Sequence, residues 1–242
     1  MRDTTKKVNV SAYKEDYMKP ILFNTEMVQA ILDGRKTVTR RVIKQQVQQA
    51  HWWEYNDDGS VDFMCGASSQ NGDGISFGDW VVTAKPPYKV GDVLYVRETW
   101  CRLAYVDDGG HTHYDDCQYY YATDGDYQVT LVDDDGYELD DQRMKWRPSI
   151  HMPKEAARLF LRVTDVRPER LQDMTQEDAE KEGFCETQDI ESRFTSSPLL
   201  MFTSLWDSTI KKQDIERYSW DANPWVWVIK FERIDPLGVE GE

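Results

Sequence analysis

The chain has 242 residues, long enough for one large domain or two small ones, and able to bury a sizeable core without disulfides. Its 44 acids against 29 Lys and Arg give a net charge of −15, which, spread evenly, would repel polyanions. The composition also argues against three other classes: no stretch reaches the ~20 apolar residues of a membrane span, Met1 to Tyr17 lacks the apolar core of a signal peptide, and the four cysteines (Cys65, Cys101, Cys117, Cys185) show neither zinc-type nor disulfide-framework spacing. A soluble cytoplasmic chain with reduced thiols is expected, with residues 1–17 as a disordered extension ahead of what looks like a fresh start at Met18.

Ile21-Leu22-Phe23 is a short apolar run, after which Asn24 or Thr25 offers a side-chain oxygen to cap a helix with Met27, Val28, Ile31 and Leu32 at helical spacing. Gly34 stops that helix as its C′ residue. Lys36 to Ile43 is rich in β-branched residues and predicts a strand with Thr37, Thr39 and Arg41 on one face and Val38, Arg40 and Val42 on the other. Residues 45–84 hold six acids and no Lys or Arg, with Trp52, Trp53, Tyr55 and Phe77 set among turn residues, which predicts a hairpin-bearing insertion. Val90-Gly91-Asp92 is a turn that launches the strand Val93 to Arg97.

Residues 105–141 hold twelve acids and again no Lys or Arg, and Asp-Gly turns between short β-type runs predict a second hairpin excursion. Removing these eighteen acids from a net charge of −15 leaves the rest of the chain at +3, so an anionic ligand is not excluded there. Trp146 to Pro153 reads as an extended loop, because its two prolines restrict the residues before them. A strand around Leu159 to Val166 follows, then a short helix opened by Thr175-x-x-Asp178 and closed by Gly183. Leu199, Phe202, Leu205, Trp206 and Ile210 fit an amphipathic helix, and Trp225 to Phe231 a final strand. The sum is one α+β domain over residues 18–242 carrying two acidic insertions.

The helix Thr25 to Asp33, the motif Gly34-x-Lys36-x-x-Thr39-x-Arg41, the strand entry Val90 to Leu94 and the closing Asn223 to Ile229 together resemble ASCH-domain proteins, over Lys19 to about Arg233. The longer members common in bacteriophage and prophage genomes are the most similar, since they share the Trp146 to Pro153 loop. The resemblance implies a PUA-like β-barrel and, by analogy, binding of RNA or of a modified nucleoside or nucleotide. Small bacterial members of the family are amidohydrolases that deacetylate N4-acetylcytidine. Their threonine nucleophile, lysine base and glutamate proton carrier resemble Thr39, Lys36 and Glu182, and Arg41 matches the motif's arginine.

A threonine hydroxyl attacks a carbonyl only when a base removes its proton, and Lys36 is a base only when neutral, which requires desolvation or a nearby cation. Arg41 would stabilise the oxyanion or hold a phosphate, and Glu182 would return a proton to the leaving amine. Read from pattern alone, Arg35, Lys36, Arg40, Arg41 and Lys44 are instead a solvated cationic face. Gly34, Arg40, Arg97, Trp146 and Arg147 are further candidates for contacting the ligand, although Arg97 and Arg147 equally suit pairing with surface acids. The tryptophans Trp52, Trp53, Trp146, Trp225 and Trp227 offer either a base-stacking platform or core. His111-x-His113 with Asp115, Asp116 and Cys117 offers zinc-type donors at a spacing that fits no standard site, and neither a metal nor a cofactor is expected. Two alternatives stay open: a non-catalytic RNA or DNA reader, and an acidic surface that binds a protein partner.

Overall fold

The computed structural model describes residues 18–45, 47–65, 80–106, 112–125, 131–132, 138–139, 146–185, 187–188 and 195–234. The expected extension at residues 1–17 and much of the two acidic segments lie outside these residues. In chain order the described elements are β1 (Lys19–Leu22), α1 (Thr25–Leu32), β2 (Val38–Val42), β3 (Ala50–Tyr55), β4 (Val61–Cys65), β5 (Trp80–Ala84) and β6 (Val93–Arg97). Then come β7 (Trp100–Val106), β8 (Thr112–Tyr121), β9 (Leu131–Val132), β10 (Glu138–Leu139) and the long β11 (Phe160–Arg170). The last are α2 (Gln176–Lys181), β12 (Thr187–Gln188), β13 (Thr195–Ser196), α3 (Pro198–Thr209), α4 (Ile215–Tyr218) and β14 (Trp225–Ile234). The class is mixed α+β, with strands in sheets and a few short helices. Among the described residues no closed barrel is traced by the strand ladders, and no helix is long and apolar enough to cross a membrane.

The chain divides into two compact units interleaved in sequence, one of residues 1–33, 93–161 and 233–242, the other of residues 34–92 and 162–232. In the first unit Asn24 caps α1, its Oδ1 accepting from the Met27 N–H at 2.8 Å, and Val28, Ala30 and Ile31 turn inward. β1 lies parallel to β6, with Ile21 opposite Val96. β7 and β8 form an antiparallel ribbon from Trp100 opposite Tyr121 to Val106 opposite Thr112. Trp100, Met152 and Ala156 make a small core with Tyr119 and Tyr121 around them.

The loop expected to run extended from Trp146 to Pro153 is more structured than that. Arg147 pairs with Trp100 through both backbone hydrogen bonds, and 3-10 turns occupy Ser149–His151 and Lys154–Ala156. Proline restricts the residue before it, whereas its own fixed φ suits the entry to a turn, so Pro148 and Pro153 each stand just ahead of one.

In the second unit β14 pairs antiparallel with β2, placing Ile229 opposite Thr39 and Trp227 opposite Arg41, and β11 lies on its other edge. Both faces of β14 are buried along most of its length. Val226 and Val228 join Val38, Leu171, Met174, Ala179, Phe202 and Trp206 beneath α2 and α3. Trp225 and Trp227 meet Phe63 of β4 edge-on at 5.5 and 6.3 Å. A strand covered on both sides reads as a continuous apolar run, and each fully buried Val or Ile on it contributes about 1.5–3 kcal/mol.

The first acidic insertion supplies the antiparallel sheet β3-β4-β5, tied down where the Tyr55 hydroxyl donates to the Val166 carbonyl at 2.8 Å. β11 continues four residues past the expected end at Val166. Pro168 takes a buried position in its alternation, since proline's φ fits an extended strand at the loss of a single ladder donor. Of the tryptophans offered as core or platform, Trp225 and Trp227 are buried, whereas Trp52 and Trp146 stand exposed.

Candidate functional site

The segment between α1 and β2 is fixed from both sides. Asp33 caps α1 and Gly34 follows at φ +75°, a left-handed conformation that glycine adopts without a Cβ penalty. The Thr37 N–H then donates to the Lys181 carbonyl at the end of α2 (2.8 Å), and the Thr37 carbonyl accepts from Phe231 of β14 (2.9 Å). Arg35, outermost, donates from Nη1 to the Gly183 carbonyl. With its neighbours pinned on either side, Lys36 extends inward rather than to solvent.

All three ammonium hydrogens of Lys36 find acceptors: Glu182 Oε2 at 2.6 Å, the Glu182 carbonyl at 2.8 Å and the Val38 carbonyl at 3.0 Å. Both side chains of this ion pair are withdrawn from water, at 0% and 2% exposure. Burial is the strongest influence on Lys36 and holds its pKa below the usual lysine range. Glu182 pulls it back up, while the Arg41 and Arg40 charges push it down further. Glu182 occupies the C-cap of α2, whose N-terminus is locked by a capping box between Thr175 and Asp178.

Arg40 reaches the second oxygen of Glu182. Its Nη1 lies 3.3 Å from Glu182 Oε1, while Nη2 lies 3.0 Å from Glu169 Oε1 and 3.8 Å from Asp178 Oδ2. Glu169 is held in turn by Arg167 at 3.0 Å, and Arg167 also meets Asp165 at 2.8 Å. An alternating chain of charges thus runs from half-exposed Asp165 inward to buried Lys36.

Alternation along β2 sets Arg40 on the face of Val38 and Val42, and Thr39 and Arg41 on the opposite face, as the sequence predicts. Thr39 is buried there, opposite Ile229. Arg41 donates to the Arg40 carbonyl at 3.4 Å, and its charge bears on both Lys36 and Glu182. Burial lowers the Arg41 pKa, opposed by Glu182 and by the Tyr88 phenol, whose own pKa burial raises.

Lys36 and Glu182 therefore meet directly, Arg40 joins them, and Thr39 and Arg41 stand on the opposite face of β2 from Arg40. Lys36 and Arg40 are not part of a solvated cationic face, whereas Arg35 and Lys44 are exposed. The other candidates belong to the first unit. Arg97 donates from Nε to the Met152 carbonyl at 2.7 Å, Trp146 is exposed, and Arg147 lies over the Trp100 ring at 5.2 Å. Sequence reading missed Glu169, Asp178 and Tyr88. Asp178 was visible as a cap, but its approach to Arg40 joins positions far apart in the chain, which no local pattern reports. Among the described residues no group of three or more His, Cys, Asp or Glu is placed to hold a metal ion. The His111 to Cys117 donors lie outside the described side chains.

As a chemical unit, a desolvated lysine sharing its proton with a buried carboxylate can move protons, and the neighbouring guanidinium of Arg41 can hold developing negative charge. Compared with family models, curated proteins and solved structures, the chain gives no match.

Proposed function

We propose that this chain is an ASCH-type protein with a PUA-like core that binds a modified pyrimidine nucleoside or nucleotide and hydrolyses an N4-acyl group from cytidine. The observation that supports the reading most is the 2.6 Å contact between Lys36 Nζ and Glu182 Oε2, two buried side chains. Burial of Lys36 favours its neutral amine, the form a base requires.

In this reading Thr39 Oγ attacks the acyl carbonyl as its proton passes to Lys36 Nζ. The Arg41 guanidinium stabilises the oxyanion. The C–N4 bond then breaks, and N4 receives the proton that Lys36 has handed to Glu182. Water hydrolyses the acyl-threonine ester, releasing the carboxylic acid and restoring the hydroxyl.

The test incubates purified protein with N4-acetylcytidine and a panel of other modified nucleosides, and follows acetate and cytidine by chromatography. Acetate release that falls at least a hundredfold in Thr39→Ala and Lys36→Met is expected, on the order of the loss when a nucleophile or its base is removed. No release by the native chain, or full rate in Thr39→Ala, overturns the catalytic reading.

A further inference from the structure

Arg40 is a buried cation shared by three carboxylates. Its guanidinium is buried to 1% exposure and meets three carboxylates from two elements, Glu169 on β11 and Asp178 and Glu182 at the two ends of α2. One buried carboxylate suffices to neutralise a buried arginine, so the arrangement does more than remove a charge penalty. Glu182 is the member that matters chemically: Arg40 takes Oε1, which leaves Oε2 for Lys36.

We propose that Arg40 is a positioning residue, which orients the Glu182 carboxylate toward Lys36 and, with its charge divided among Glu169 and Asp178, sets the pH at which Lys36 becomes a base. This rests on the proposed amide hydrolysis for its consequence, but not for its geometry. The groups facing the pair are Arg40 and Arg41 from β2, Glu169 from β11, Asp178 from α2, and Tyr88 beyond Arg41. The directions follow from Coulomb's law at short range in a weakly polar interior. A cation beside Lys36 disfavours the ammonium, so removing Arg40 must raise the pH at which Lys36 loses its proton. Removing the Glu169 charge leaves Arg40 less compensated and must lower that pH. A purely structural role would make both variants less stable without moving the titration in opposite directions.

The experiment uses the full chain and three variants, Arg40→Gln, Arg40→Lys and Glu169→Gln. The Lys36 amine is titrated by the NMR shift of its Cε, identified by its loss in Lys36→Met, and the pH profile of kcat/KM for acetate release from N4-acetylcytidine is recorded beside it. Arg40→Gln should move both the Lys36 titration and the acidic limb of the profile upward by about one pH unit, roughly a tenfold loss of base at neutral pH. Arg40→Lys should restore most of that, and Glu169→Gln should move both downward. An unmoved or upward-moving Lys36 titration in Glu169→Gln overturns the proposal even where Arg40→Gln does not fold. Titrations that move as expected without acetate release uphold the positioning role and overturn the hydrolase reading instead.

Discussion

Lys36 and Glu182 lie 146 positions apart, and each satisfies a charge that the other would leave stranded in the interior. At the scale of single residues the consequence is energetic as well as chemical. Removing one member of a buried pair leaves an uncompensated charge and typically costs about 3–5 kcal/mol, whereas replacing both with apolar groups costs far less. In urea unfolding, Glu182→Leu and Lys36→Met should each be strongly destabilising, and the double variant should be milder than the sum of the two by at least about 1 kcal/mol. Additive losses would mean that the two side chains do not stabilise one another. The residue types here were readable from the chain, because Lys36, Thr39 and Arg41 fall in one short motif. The partners Glu169 and Asp178 were not, because their roles depend on β11, one strand removed from β2 across β14, and on α2 coming within reach of Arg40.

Elements carry the site through their ends. Gly34 follows the end of α1 at positive φ, and the Thr175–Asp178 capping box starts the helix whose C-cap is Glu182. Both features were legible locally, since helix stops and capping boxes are properties of a few adjacent residues. A Cβ at Gly34 would meet nothing within 4 Å, so only the backbone conformation opposes Gly34→Ala. That variant should lose about 1 kcal/mol from strain at positive φ. Thr175→Ala should likewise lose about 1 kcal/mol by removing the cap. Denaturation midpoints check both; a neutral Gly34→Ala would show that α1 does not need that conformation. The β11 strand was legible only up to Val166, because Pro168 reads as a terminator unless its buried position on the strand is known.

At the scale of the whole molecule the chain interleaves, so neither compact unit is a continuous stretch of sequence. The second unit depends on β14, which lies between β11 and β2 and buries Val226, Val228 and Ile229 completely. A chain ending at Asn223 should therefore show no cooperative calorimetric unfolding of that unit. A transition retained within a few degrees of the full chain would refute this. The acidity behaves differently from what a net charge of −15 suggests: Glu169, Asp178 and Glu182, which surround the buried cations, come from outside the two acidic segments. By itself the sequence determined the α+β class, the positions of α1, β2, β6, α2 and α3, and the identity of the motif residues, because periodicity, capping and turn chemistry act over a few neighbours. Tertiary structure alone decided that β14 is buried on both faces, that Lys36 and Arg40 are interior, and that Glu169 and Asp178 share Arg40 with Glu182. Those outcomes are set by contacts between distant segments, and burial turns an ordinary surface cation into a group whose proton can be moved.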